Sequence, residues 1–215
     1  MFNLCLKQRT ERVRRSIVYG VAKIVTPRFY AEIRENHEFI QRTPRPFTLH
    51  LRQVFGDKPL VGVEIGFGLG QNAESLLENL NIRRLYCVDP CIGRPYDDLG
   101  GVVSAHVGRH NRVDKLRLDK RVEFVELPSD MAVSVLPVGV DFVYVDGLHT
   151  FEQCFRDLKN YMGLVREGGF LGGHDFTRAC EVGVVRAVLE FSVLVGLVPV
   201  VVMPDFWFEV KDGTN

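Results

Sequence analysis

The chain has 215 residues, 46% of them apolar and 25% charged, with a formal net charge of zero. This composition excludes an intrinsically disordered chain, and the length suits one domain with an extension. Neutrality argues against a dedicated nucleic-acid binder, and no apolar run reaches the ~18 residues of a membrane span.

Charge is unevenly spread. Residues 1–58 carry 12 Lys/Arg against 5 Asp/Glu, and the remainder carries 15 against 22. The asymmetry predicts an N-terminal helical extension over 1–58 and a core domain over 59–215. Residues 11–40 read as helices broken at Pro27, and Thr43-Pro44-Arg45-Pro46 as the link into the core. The stretch SIVYGVAKIV is ten residues long, too short to cross a bilayer. It is expected to pack on the core or on a second copy in a homodimer, with peripheral membrane contact as the alternative. MFNLCLKQRTERVRR runs apolar and then basic, the reverse of a secretory signal, so the expected location is cytoplasmic. The five cysteines, Cys5, Cys87, Cys91, Cys154 and Cys180, are odd in number and form no CxxC pair. That excludes a full disulfide framework and gives no support to a zinc ribbon.

From Leu60 the pattern alternates strand and helix. Val61–Ile65 is a short apolar run closed by glycines. Over residues 71–80, Ala73, Leu76, Leu77 and Leu80 repeat at helical spacing. Leu85–Val88 reads as a second strand closed by Asp89, and residues 91–120 as a polar stretch turning helical at HNRVDKLRL. Val122–Glu126 is a third strand, Ser129–Leu136 a short helix, and Val140–Val145 a fourth strand. Phe151, Cys154, Phe155, Leu158, Tyr161, Met162 and Val165 form one helical face. Gly168–Gly172 then leads as a strand into His174-Asp175, and residues 180–195 form a helix. Val198–Met203 and Trp207–Val210 are joined too tightly for a crossover, so they pair antiparallel at one edge. The fold class is therefore α/β, with a mostly parallel sheet.

In such sheets ligands bind at the carboxyl ends of the strands. The first strand ends in Glu64-Ile-Gly66-Phe-Gly68-Leu-Gly70, where the glycines let backbone turn sharply and lie against a ligand. Asp89 follows 23 residues after Gly66, a spacing at which a carboxylate can accept from both ribose hydroxyls. The spacing is GxGxG rather than the dinucleotide GxGxxG. Glu64 adds negative charge, which suits the ammonium and sulfonium of S-adenosylmethionine better than a pyrophosphate.

The run VEIGFGLG with Asp89 resembles the first two motifs of the Rossmann-like S-adenosylmethionine-dependent methyltransferases, across about residues 59–210. The resemblance implies a seven-stranded sheet with helices on both faces, mostly parallel, its last strand antiparallel. It also implies that Gly66, Gly68 and Gly70 line the methionine and ribose, and that Asp89 holds the ribose. Ser129 and Asp130 would sit beside the adenine; as residues before MAVSVL they can equally cap a helix.

Asp146 and His149 follow the fourth strand, and His174 and Asp175 follow the fifth. If these strands are neighbours, all four side chains converge beside the transferred methyl. Carboxylates with imidazole make a divalent-metal set, and His149 is placed as a general base. Each also has a structural alternative: a helix cap for Asp146, a bond to a backbone carbonyl for His149, a satisfied buried histidine for His174. The stretch VYVDGLHTFEQCFRDLKNYMGLVREGGFLGGHDF resembles small-molecule O-methyltransferases, including metal-dependent macrolide sugar enzymes, and cephalosporin hydroxylase-like proteins. It implies Asp146, His174 and Asp175 as metal ligands, with Asp146 also near the cofactor, and His149 as base. Those relatives carry two acids where this chain has His174-Asp175, which shifts the expected ion from magnesium toward manganese, iron or zinc, or toward none.

The expected function is methyl transfer from S-adenosylmethionine to an oxygen of a small hydroxylated acceptor. A non-catalytic nucleoside-binding protein of the same fold is the first alternative. A nicotinamide-dependent oxidoreductase is the second, opposed by the missing GxGxxG and by Glu64. His106, Arg109, His110 and Arg112 form a basic stretch that reads as a solvated helix face or as a receiver of an anionic acceptor.

Overall fold

The structure, a computed structural model, describes residues 43–90, 107–177 and 182–211. The helices expected over 11–40, the stretch 91–106, and Cys5, Cys91, Cys180 and His106 lie outside these residues.

The first described helix, α1 (Pro46–Phe55), starts with proline at a position where its fixed φ is already helical, and stops at Gly56, whose φ is +57°. Phe47, Leu51 and Phe55 recur one turn apart and are buried. Complete burial of Phe47 and Leu51 contributes roughly 1.5–3 kcal/mol each. The charge boundary at residue 58 places this helix in the extension, yet Thr43–Arg94 and Val107–Asn215 form one compact unit. Apolar spacing outweighs net charge here, because burial follows the face of a helix rather than its composition.

The strands are β1 (Leu60–Ile65), β2 (Ile82–Val88), β3 (Val122–Val125), β4 (Val140–Val145), β5 (Val165–Gly173), β6 (Val200–Val202) and β7 (Asp205–Glu209). They form one sheet in the order β3-β2-β1-β4-β5-β7-β6. The first five are parallel, and β7 runs antiparallel to both β5 and β6. This is the seven-stranded Rossmann-like sheet expected above. Between the strands lie α2 (Gln71–Asn79), α3 (Val107–Leu118), α4 (Ser129–Ala132), α5 (Phe151–Met162) and α6 (Val182–Val195). Several element ends differ from the sequence reading, among them β2, which begins at Ile82, α4, which stops at Ala132, β5, which Val165 opens instead of closing the α5 face, and β7, which begins at Asp205.

Alternation along the strands sorts the core onto two faces. Val63, Val143, Val145, Leu171 and Phe206 pack with α5 and α6 residues such as Leu158 and Val188. Leu85, Phe142, Tyr144 and Trp207 pack on the other face with Phe47, Leu51 and Leu76. Gly62 leaves room for the Phe142 ring, which an added Cβ would meet at 2.1 Å.

The strand order reverses at β1, whose neighbours are β2 and β4. A crevice therefore opens at the carboxyl ends of these central strands. A surface cavity of about 320 Å³, lined by Val61, Tyr86 and Val140 among others, lies at the opposite ends of the same strands. Among the described residues, no helix is long and apolar enough to cross a membrane.

Candidate active site

The loop leaving β1 is shaped by its glycines. Gly66, Gly68 and Gly70 have φ of +88°, +52° and +74°, left-handed values that side chains disfavour. A Cβ on Gly66 would sit 2.0 Å from the Asp146 carbonyl oxygen, so glycine is needed for the β1 and β4 loops to touch. At Gly68 an added Cβ meets nothing within 4 Å among the described residues, which leaves open backbone for a ligand to lie against. Asp89, at the end of β2, accepts from the Gly68 amide through Oδ2 at 3.0 Å. The glycine loop and the acid expected to hold a ribose are thus bonded to each other.

Glu64 departs from its expected role. It is 1% exposed, accepts from Asn72 Nδ2 at 2.9 Å and lies 4.0 Å from the Cys87 sulfur. Burial pushes its pKa up to about 8, against the pull of Asn72 and Arg45. Burial thus works against the negative charge that the sequence reading gave to Glu64. Ser129 also differs: the residue preceding α4 is Pro128 and no side chain caps that helix. The Ser129 hydroxyl instead donates to buried Asp157 at 2.6 Å, and Gln153 Nε2 donates to the same oxygen at 3.0 Å. Asp130 is more exposed and lies 3.5 Å from Arg156 Nε. The cap of α5 is Thr150, whose Oγ1 accepts from the Gln153 amide, and not Asp146. In the basic stretch, Arg112 Nε donates to Glu74 Oε2 at 2.7 Å.

Parallel pairing of β4 and β5 brings their carboxyl ends together, Val145 opposite Gly173. His149 Nε2 lies 3.0 Å from Asp175 Oδ2 and 3.7 Å from Asp146 Oδ1. Buried His174 presents Nδ1 to the same two oxygens, at 3.2 Å and 3.7 Å. All four residues singled out at these strand ends therefore meet. Asp175 has a φ of +63°, the one left-handed non-glycine among the described residues, and such strain concentrates at functional sites. Burial would push both carboxylates up; it is outweighed by Arg45 and His149 at Asp146, and by both histidines at Asp175, so each is held below the usual range. Burial likewise pulls His174 down, but Asp175 and Asp146 outweigh it and raise its pKa.

Three further residues complete a buried polar ring. Arg45 Nη1 donates to Asp146 Oδ2 at 2.6 Å and to the Tyr144 hydroxyl at 2.9 Å. Tyr144 donates to Asp205 Oδ1 at 3.0 Å, and that oxygen is 4.0 Å from His174 Nε2. The other Asp205 oxygen accepts from the Phe47 amide at 2.9 Å. Burial pushes Asp205 up to about 6, against the pull of His174. One signal for these residues was present: Tyr144 and Asp146 stand two apart at the end of a strand and so share a face.

Ligand atoms of Asp146, His149 and Asp175 all lie within 4.8 Å of one another, and His174 Nδ1 faces the same two carboxylate oxygens. This trio does not fit a divalent ion while Arg45 is in place. One Asp146 oxygen is committed to the guanidinium, and one Asp175 oxygen faces both imidazoles.

A glycine loop at the switch point, an acid on the next strand and a polar cluster two strands away define the class I methyltransferase architecture. The chain belongs to the methyltransferase-domain family, whose profile matches residues 61–176, over half of its length. It is 27% identical over 140 residues to the uncharacterized protein R132 of Acanthamoeba polyphaga mimivirus, and the match spans 61% of each chain. Among solved structures it is similar to the SAH-bound methyltransferase PaMTH1 of Podospora anserina, at 17% identity and a TM-score of 0.56. That match covers 83% of this chain and 87% of the other. It is also similar to the O-methyltransferase of Bacillus cereus in complex with SAH, at 16% identity and a TM-score of 0.51, covering 90% and 96%.

Proposed function

We propose that the chain binds S-adenosylmethionine on the 66–70 loop and transfers its methyl group to an oxygen of a small hydroxylated molecule. The observation that carries this reading is the loop itself: left-handed glycines, an open face at Gly68, and Asp89 bonded to the Gly68 amide at the carboxyl ends of β1 and β2. The family match and the two SAH-bound folds support the same cofactor.

S-adenosylmethionine, held by the 66–70 loop and Asp89, would supply a methyl group activated by its positively charged sulfur. The protein's task is to hold an acceptor oxygen in line with that bond, and alignment is the largest contribution. His149 is the one histidine of the cluster with substantial exposure, and it takes the acceptor's proton. With Nε2 facing Asp175 at 3.0 Å, the imidazole is oriented and the protonated form is stabilised after transfer. A metal-assisted variant would draw on Asp146, His149 and Asp175, the trio whose ligand atoms converge, with Arg45 as a competing cation on Asp146.

Thermal shift and calorimetry with S-adenosylmethionine, S-adenosylhomocysteine and NAD test the reading. Stabilisation by the two sulfur nucleosides and not by NAD is expected. Binding followed by no methyl transfer to any of a panel of phenols, sugars and hydroxylated lipid headgroups would favour a non-catalytic nucleoside-binding protein instead.

A further inference from the structure

We propose that Arg45 is the resident cation of the strand-end cluster, holding Asp146 through Oδ2 and opposing a divalent ion on the Oδ1 side. This goes beyond methyl transfer itself, and metal titration reads it without any cofactor or acceptor.

Three observations lead to it. The cluster has the donor set of a cation site, two carboxylates and an imidazole with ligand atoms within 4.8 Å of one another. Gathering acids at one buried point is unfavourable unless their charge is compensated. Compensation comes from the protein: Arg45 Nη1 contacts Asp146 Oδ2 at 2.6 Å, with side-chain exposures of 8% and 16%. An exposed pair with such geometry would mean little, but this one is desolvated and charge-assisted.

The guanidinium is itself fixed. Its second Nη1 bond goes to Tyr144, whose hydroxyl is anchored on Asp205, and Asp205 is tied to the α1 backbone at Phe47. Arg45 sits at the start of α1, so the helix that packs on the sheet also delivers the cation. With Oδ2 occupied, Asp146 turns only Oδ1 toward His149 and His174. Arg45 is in this sense a positioning residue: it acts on the acceptor's base through Asp146. A divalent ion on Oδ1 would share one carboxylate with a guanidinium and be repelled by it.

The test is a Mn²⁺ titration of the whole chain, followed by electron paramagnetic resonance and by melting temperature, on wild type, R45M, R45K and the double variant R45M/D146N. Wild type and R45K are expected to show no saturable Mn²⁺ binding. R45M is expected to bind Mn²⁺ about tenfold or more tightly than wild type and to gain melting temperature with the ion, and D146N is expected to remove that gain. Should R45M be unfolded without metal, Mn²⁺ restoring a cooperative melt supports the proposal, and failure to restore it overturns it. Stoichiometric Mn²⁺ binding by wild type, lost in D146N, also overturns it, as does a folded R45M that ignores the ion. None of these outcomes depends on whether S-adenosylmethionine binds.

Discussion

His149 and Asp175 leave different strands, yet the imidazole Nε2 and the carboxylate Oδ2 face each other across 3.0 Å. The contact joins the loop after β4 to the end of β5 and gives the imidazole a fixed orientation.

H149Q is therefore expected to lower the rate of methyl transfer by about 10²–10⁴ while leaving the dissociation constant for S-adenosylmethionine unchanged. D175N should lower kcat through loss of that orientation. Calorimetry for the cofactor and a labelled-methyl assay on the same preparations check both. An H149Q variant as active as wild type would remove His149 from the reaction.

Two neighbouring glycines should respond in opposite ways. Gly66→Ala drives a Cβ to 2.0 Å from the Asp146 carbonyl, a backbone clash no side chain can relieve, and should cost more than ~3 kcal/mol of stability. Gly68→Ala meets nothing within 4 Å, and its φ of +52° costs only about 1–2 kcal/mol. The Gly68 variant should fold and melt a few degrees lower, yet lose cofactor affinity, because the new methyl group occupies the open face. Denaturant unfolding and calorimetry separate the two effects.

Glu64 has a folded-state pKa of about 8 against an ordinary value of 4.5. Between those values the native state binds more protons than the unfolded state, so stability falls as pH rises through that window. Asp205, pushed up to about 6, contributes a slope of the same sign at lower pH. E64Q removes only the Glu64 part. Its melting temperature should fall less than that of wild type between about pH 5 and 8, with the gap opening toward the alkaline end. Parallel curves for the two proteins would show that Glu64 is ionised in the native state.

Strand β6 is an edge of the sheet, and Val200, Val201 and Val202 are all exposed, with no charged residue among them. Unprotected apolar edges pair with other edges. V201K should reduce self-association in sedimentation experiments while changing stability by no more than about 0.5 kcal/mol.

The parts of this architecture that sequence discloses are those written in short range. Val140–Val145 is an apolar run that ends at an acid, and the eye can place Asp146 at a strand end without coordinates. The same holds for Gly66, Gly68 and Gly70 after β1 and for His174-Asp175 after β5. What stays hidden depends on distance along the chain or on burial. Arg45 is 99 residues from Tyr144 and 101 from Asp146, and between two prolines it reads as linker. Glu64 is legible as an acid but not as one whose pKa is raised, since burial is the cause and no local pattern shows it. The ring of Phe47 stacks on that of Tyr144 at 5.6 Å, a contact that no local pattern announces.

The amide of Phe47 bonded to Asp205 has a practical corollary for anyone trimming the polypeptide. A shortened chain beginning at Pro59, the break suggested by charge alone, would discard Arg45, Phe47 and Leu51 together. It would take from Asp146 its guanidinium partner and from Asp205 the Phe47 amide, and would bare an aromatic surface. A shorter piece that keeps this contact has to begin before Arg45, whose partner Asp146 is encoded 101 positions downstream.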